Sequence, residues 1–350
     1  MTRQIVLGIV VFAAVLILLF GLTSLARPAP SGSAGATGPG AASAAASTSS
    51  PASMPSASDA PSVSPSASGG ATDAVPSPTA SSPTIGDQVL VGAGDIADCD
   101  VSADEATARL IDGIEGTVFA AGDDAYESGT AKEFQDCYAP TWGRFLDRTY
   151  PVPGNHDWVT KDLAGYLGYF GDRAAPDGTS WYSFELGAWH VVMLDSECRK
   201  VGGCGADSAQ GRWLAADLAA SSAHCTVAIW HRPRWSSGFH GNDDDVGPFW
   251  TALYRAGADL VINGHDHDYE RFAPQDPAGH KDETGGLREF VVGTGGAELR
   301  DFRPIAAANS QLRVGGVHGV LKLTLKADGY DWAFVPTGSD ITDAGSTACH

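Results

Sequence analysis

Five short segments of this chain carry residue types that bind metal ions. In chain order they are GDIA at 94–97, GDDAY at 122–126, GNHD at 154–157, AIWH at 228–231 and GHDH at 264–267. Carboxylate oxygen, amide oxygen and imidazole nitrogen are ordinary ligands of divalent ions, and a phenolate suits a trivalent ion. A carboxylate can also bridge two neighbouring ions. The segments therefore predict a metal centre, provided that the fold brings them together.

Four of the five segments follow or end a region that we predict as a β-strand, and we expect the same of GNHD, for which the pattern gives no strand bounds. Predicted strands lie at 88–93, 117–121, 181–186, 189–194, 225–230, 259–262, 290–292, 320–325 and 330–335, and predicted helices at 102–111, within 130–147, at 208–220 and at 248–256. The first helix starts at a Ser102–Glu105 capping box, and Gly187-Ala188 forms the turn of a hairpin. This alternation predicts a layered α/β fold, in which ligands bind beyond the carboxyl ends of strands.

The order of the motifs resembles the calcineurin-like metallophosphoesterases, and more closely the purple acid phosphatases. The shared pattern is D, GDxxY, GNH, xxxH and GHxH, and it extends from about residue 89 to residue 298. Most members of the broader family have a His two residues after the first Asp. Here that residue is Ala97, so the resemblance implies that Tyr126 takes over the missing coordination. It also implies a four-layer α/β/β/α sandwich with the metals at the strand ends.

The resemblance assigns the metal ligands residue by residue. Asp123 would bridge two ions; Asp95, Tyr126 and His267 would complete one site, and Asn155, His231 and His265 the other. The implied pair is Fe(III) with Zn, Mn or Fe(II). Structural roles are the alternatives for single residues, since Asp95 or Asp123 alone could cap a loop and Tyr126 could simply pack as an aromatic.

Two further histidines match positions that contact the phosphate in the family and help to protonate the leaving oxygen. They are His156 in GNHD and His240, nine residues after His231. Imidazole suits this role because its pKa lies near the working pH. We expect Asp157 to orient His156, while an exposed loop position is the alternative for His240. Arg232 and Arg234 could attract phosphate or be solvated.

The reaction implied is hydrolysis of phosphomonoesters by attack of a metal-bound hydroxide on phosphorus. A phosphodiesterase with the same two-metal core is one alternative, and a non-catalytic surface module that binds wall or host polymers is another. The formal net charge of −20 argues against nucleic-acid binding, which requires Lys and Arg. An acidic protein also repels phosphate esters, so the site needs local cations.

The amino terminus divides into an apolar and a low-complexity segment. Residues 5–26 are apolar and long enough to cross a bilayer, which takes roughly 20 residues. Residues 1–27 are therefore a transmembrane anchor or a signal peptide cleaved after 24–26, and both alternatives imply an extracytoplasmic protein, membrane-anchored or secreted. Residues 28–84 are rich in Ala, Ser and Pro and predict a disordered linker. Residues 85–350 form the predicted catalytic domain.

All six cysteines lie in the predicted catalytic domain, which agrees with export to an oxidising compartment. No pair has the CxxC spacing of a zinc site. We expect disulfides, and among the possible pairings we predict Cys198 with Cys204, Cys99 with Cys137, and Cys225 with Cys349.

Overall fold

The computed structural model describes residues 86–350. Its strands are β1 (Gln88–Ala93), β2 (Thr117–Ala121), β3 (Thr149–Val152), β4 (Tyr182–Leu186), β5 (Trp189–Met193), β6 (Cys225–Ile229), β7 (Leu260–Asn263), β8 (Tyr269–Phe272), β9 (Arg288–Val292), β10 (Ser310–Val314), β11 (Gly319–Leu325), β12 (Gly329–Pro336) and β13 (Asp343–Ala348). The α-helices are α1 (Ala103–Asp112), α2 (Ala131–Glu133), α3 (Ala164–Phe170), α4 (Ala209–Ala220) and α5 (Gly247–Ala256). A π-helix spans Phe134–Tyr138, and 3₁₀-helices span Trp142–Arg148, Lys161–Leu163, Gly171–Arg173 and Asp244–Val246.

The strands form two sheets. One has the order β13-β12-β11-β1-β2-β3 and the other the order β10-β8-β9-β7-β6-β5-β4. Strands β1, β2 and β3 run parallel to one another, as do β5, β6, β7 and β9. The remaining pairs are antiparallel. The predicted mixed α/β class is confirmed. Parallel pairing matters for the site, because it gathers the carboxyl ends of neighbouring strands on one edge.

Side chains of both sheets share one apolar core, to which Leu90 of β1 and Val227 of β6 belong. In the second sheet, alternate residues point to opposite faces, as the period of a strand requires. Val191 therefore joins the core between the sheets, whereas Val192 packs into a second cluster with Trp250 of α5. Helices α4 and α5 thus cover the outer face of the second sheet.

Strands β1 and β2 have the predicted bounds, and β4 and β5 of the predicted hairpin are each one residue shorter than predicted. The predicted capping box at Ser102 is wrong, since its side chain makes no capping hydrogen bond. Glu105 instead forms ion pairs with Arg109 and Arg144. A capping box is instead present at the start of α2, where Thr130 and Glu133 form the reciprocal hydrogen bonds.

The three predicted disulfides are confirmed. Cys99 is bonded to Cys137, Cys198 to Cys204, and Cys225 to Cys349. The last of these links the first residue of β6 to the chain just after β13, so it fastens the carboxyl terminus to the second sheet.

The predicted apolar helix at 5–26 and the linker at 28–84 lie outside the described residues. Within residues 86–350, no helix is both apolar enough and long enough to cross a bilayer.

Candidate metal centre

The backbone turns sharply where three of the predicted ligands leave their strands. Asp95, Asp123 and His265 have φ angles of 59°, 53° and 70°. This left-handed region is uncommon for residues with a side chain, and a non-glycine residue in it costs on the order of 1–3 kcal/mol. Such strain persists only where the surrounding structure holds it, and it clusters at functional sites. The three turns bring their side chains together beyond the carboxyl ends of β1, β2 and β7.

Glycines in the motifs permit the close approach of these turns. A Cβ atom on Gly154 would lie 2.1 Å from Oδ1 of Asp123, and one on Gly122 would lie 2.7 Å from the ring of His231. Gly122 also has a φ of 85°. Gly122 and Gly154 are therefore required sterically, because a side chain at either position would displace a predicted ligand.

A first group of predicted ligands surrounds the Tyr126 hydroxyl. The Tyr126 hydroxyl donates a hydrogen bond to Oδ1 of Asp95 at 2.8 Å and lies 3.4 Å from Oδ2 of Asp123. Nε2 of His267 lies 3.2 Å from the same hydroxyl and 3.2 Å from Oδ1 of Asp95. Nδ1 of His267 donates to the Glu298 carbonyl at 2.6 Å, which leaves Nε2 free to act as a ligand.

A second group lies on the other side of Asp123. Nε2 of His231 is 3.1 Å from Oδ2 of Asp123, and Nδ1 of His265 is 3.2 Å from that Nε2. The backbone carbonyl of Ala121 fixes the His231 ring through Nδ1 at 2.8 Å. Ligand atoms of Asp123, His231 and His265 all lie within 4.8 Å of one another. Asp123 therefore belongs to both groups.

The donor set fits metal ions. Oδ1 of Asn155 is buried with no hydrogen-bond partner among the described residues, and such an orphaned acceptor is costly unless a cation faces it. Asp95 and Asp123 are buried as well. Burial and the charges of these two carboxylates raise the pKa of Tyr126 well above its ordinary value. A bound cation would reverse this effect and allow the phenol to ionise.

Charge coupling between the acids and the imidazoles is strong. Burial lowers the pKa of His231, but the carboxylate of Asp123 outweighs burial and raises that pKa to about 9. Burial likewise raises the pKa of Asp95, and His267 overcomes it to leave the pKa below the ordinary value. Protons and metal ions would therefore compete for the same atoms.

The structure corrects the role expected of Asp157. Its carboxylate is fully buried beneath the motif loops and accepts hydrogen bonds from the backbone N–H groups of Gly154, at 2.9 Å, and Asp124, at 3.3 Å. The ring of His156 is instead held through Nδ1 by the Glu127 carbonyl at 2.7 Å. Asp157 thus joins the GDDAY and GNHD loops, because it points into the protein while the His156 ring lies at the site.

Both predicted phosphate-contacting histidines lie at the edge of the centre. Nε2 of His156 is 3.9 Å from Oδ2 of Asp123. The exposed ring of His240 stacks on the ring of His265, with 4.2 Å between the ring centroids. Asp266, which the sequence analysis missed, accepts a hydrogen bond from the His240 backbone N–H at 2.6 Å. Asp266, the variable residue of the GHxH motif, thereby anchors the His240 loop. An acidic residue at this motif position was the sequence feature that could have indicated the contact.

Geometry and sequence agree on the family. Residues 80–269 match the calcineurin-like phosphoesterase family, so the chain belongs to it. It is similar to two purple acid phosphatases of Arabidopsis thaliana. Purple acid phosphatase 21 is 30% identical over 216 residues, covering 52% of this chain and 48% of that protein. Purple acid phosphatase 15 is 33% identical over 150 residues, covering 37% of this chain and 27% of that protein. The chain thus spans less than half the length of these relatives.

Solved structures share the fold. The purple acid phosphatase PPD1 from yellow lupin (Lupinus luteus) seeds superposes with a TM-score of 0.59 at 20% identity, covering 75% of this chain and 54% of that one. GAP50, the anchor in the inner membrane complex of Plasmodium, also has a TM-score of 0.59, at 15% identity, covering 75% and 89% of the two chains. At these identities the likeness concerns the fold alone.

Replacing Asp123 tests whether the two ligand groups share one carboxylate. Asp123→Asn removes the negative charge at the shared position, so we expect the purified protein to lose at least one metal ion per molecule in elemental analysis. Asp100→Asn, at an exposed position, serves as the control and should keep the full metal content. A variant at Asp123 that keeps two ions per molecule would contradict the sharing of this carboxylate.

Proposed function

We propose that this chain is an exported dinuclear-metal phosphatase that hydrolyses phosphomonoesters on a four-layer α/β/β/α scaffold. The observation that carries the proposal is the position of Asp123 between two ligand groups. Asp95, Tyr126 and His267 form one group, and His231 and His265 belong to the other. We assign the orphaned Oδ1 of Asn155 to the second group. A carboxylate placed in this way suits the bridging ligand of two ions, with Fe(III) beside the phenolate and Zn, Mn or Fe(II) in the second site.

When bound, the two ions would lower the pKa of a water molecule and neutralise the phosphate. The chain itself contributes proton transfer and orientation. In the hydrolysis, a water oxygen forms a bond to phosphorus, the ester P–O bond breaks, and the leaving oxygen receives a proton. We assign contact with the phosphate and this protonation to His156 and His240, whose rings border the centre. The Glu127 carbonyl accepts a hydrogen bond from Nδ1 of His156 and leaves Nε2 facing the site. In the imidazolium form of the ring, the proton on Nε2 is the one that would pass to the leaving oxygen.

The proposal extends to the organisation of the whole chain. Three disulfides favour an oxidising compartment. We propose that residues 1–27 export the protein as an anchor or a cleaved signal, that residues 28–84 form a linker, and that residues 85–350 are the catalytic domain.

Ester preference tests the proposed activity. We expect the metal-loaded protein to cleave an aryl phosphate with a higher kcat/KM than a bis-aryl phosphate. His156→Ala should lower kcat on the aryl phosphate by about 100-fold or more while metal content is unchanged, because it removes a proton-transferring group and no ligand. His224→Ala, at an exposed position outside the centre, should behave as the wild type. Faster cleavage of the bis-aryl phosphate would identify a phosphodiesterase, and cleavage of neither ester would favour a binding module.

The visible spectrum tests the metal assigned to the Tyr126 site. A phenolate bound to Fe(III) absorbs visible light by charge transfer, which Zn or Mn at that position would not produce. Tyr126→Phe should abolish the colour and preserve the fold, since the ring still packs and only the oxygen is lost. Circular dichroism provides the check on folding. A colourless wild type with stoichiometric iron, or a coloured Phe variant, would refute phenolate ligation.

A further inference from the structure

The acidic chain must attract a substrate that is itself an anion. The formal net charge is −20, and the metal centre adds the buried carboxylates of Asp95 and Asp123. Bound metal ions would neutralise part of the phosphate charge, and further positive charge beside them would favour a phosphate dianion over less charged esters. Two arginines at the rim of the centre, Arg232 and Arg300, present guanidinium groups there, and an ion pair with Glu197 offsets part of the charge of Arg232.

Arg232 approaches the centre from the end of β6. One of its Nη atoms lies 3.1 Å from Nε2 of His265, whereas His231 contacts the other ring nitrogen, Nδ1. An ion pair with Glu197 holds the Arg232 Nε, and the Ser196 hydroxyl fixes its backbone N–H at 3.0 Å. Glu197 thus orients the guanidinium so that its outer nitrogens face the centre.

Arg300 approaches from the loop that follows β9. Its backbone N–H donates to the carbonyl of His267 at 3.1 Å, which places it directly beside a predicted ligand. Its guanidinium contacts Nε2 of His240 and lies 5.5 Å from the ring centroid of Phe239. The side chain is half-buried and is therefore held in place more firmly than that of a freely solvated arginine.

The two guanidiniums converge on one pair of rings. His240 stacks on His265 at 4.2 Å, Arg232 contacts the outer nitrogen of His265, and Arg300 contacts the outer nitrogen of His240. A guanidinium has five donors, and an anionic oxygen is a much stronger acceptor for it than an imidazole nitrogen. One phosphoryl group bound over the stacked rings would lie within reach of both arginines.

We infer that Arg232 and Arg300 form a guanidinium pair that binds the non-bridging oxygens of the phosphoryl group and selects monoesters over diesters. This inference rests on the proposed phosphatase function and specifies its substrate class. A phosphomonoester carries about −1.5 to −2 charges near pH 7 and offers three acceptor oxygens. A diester carries a single charge and offers only two such oxygens. We therefore expect the guanidinium pair to bind a diester less strongly than a monoester.

The test compares Arg232→Ala, Arg300→Ala and the double variant in the full-length, metal-loaded protein. For each single variant we expect kcat/KM for an aryl phosphate to fall by about 10- to 100-fold, the loss typical of one charge-assisted hydrogen bond. The loss for a bis-aryl phosphate should stay below about threefold. Lys at either position should restore only part of the loss, because it lacks the planar fork. Arg255→Ala, an exposed arginine on α5, is the matched control and should change neither value.

Selectivity separates substrate recognition from a purely structural role. If Arg300 only positioned His240, its loss would reduce cleavage of both esters equally, and equal losses would overturn the inference. Loss of metal from either variant, or an unchanged affinity for inorganic phosphate in titration calorimetry, would also overturn it. If the wild type cleaves neither ester, the proposed function fails. The titration with inorganic phosphate still tests the inference, which requires that each Ala variant bind phosphate more weakly than the wild type.

Discussion

Two buried carboxylates, Asp95 and Asp123, lie at the ends of adjacent parallel strands, and the rest of the centre is arranged around their charge. Burying such groups without compensation is costly, and imidazoles alone compensate them only when protonated. Bound metal ions would satisfy the same carboxylates, the orphaned Asn155 oxygen and the Tyr126 phenol together. The left-handed turns and the glycines that permit them are the structural consequence, because they bring ligands of both sheets to one point.

Electrostatics links this centre to the loops that surround it. Asp266 fastens the loop of His240, and the chain after β9 carries both the Glu298 carbonyl that orients His267 and the guanidinium of Arg300. The chain segment after β9 therefore both orients a predicted ligand and places a positive charge beside the centre. An acidic surface would be compatible with the proposed anion-binding site, because the cations would be confined to the rim and the metal positions.

The sequence predicted most strands, and a common location for the motif side chains, because motif spacing and strand patterning are local signals. It did not reveal β3, β8, β10 or β13, which are short or have a face exposed to solvent, so their apolar pattern is weak. It also assigned Asp157 to the wrong partner. The partner of the His156 ring is set by the path of the Glu127 backbone. Arg300 contacts His240 although the two residues are 60 positions apart in the chain. Contacts of this kind follow from tertiary structure and leave no local pattern.

The most direct test of the account is anomalous diffraction from crystals of the metal-loaded protein, collected at the absorption edges of iron, zinc and manganese. The account predicts two metal peaks about 3.5–4 Å apart, with a carboxylate oxygen of Asp123 coordinating both. Oxygen of Tyr126 should coordinate the ion on the side of Asp95 and His267, and oxygen of Asn155 the other. A single peak, or two peaks that do not share Asp123, would contradict the dinuclear centre.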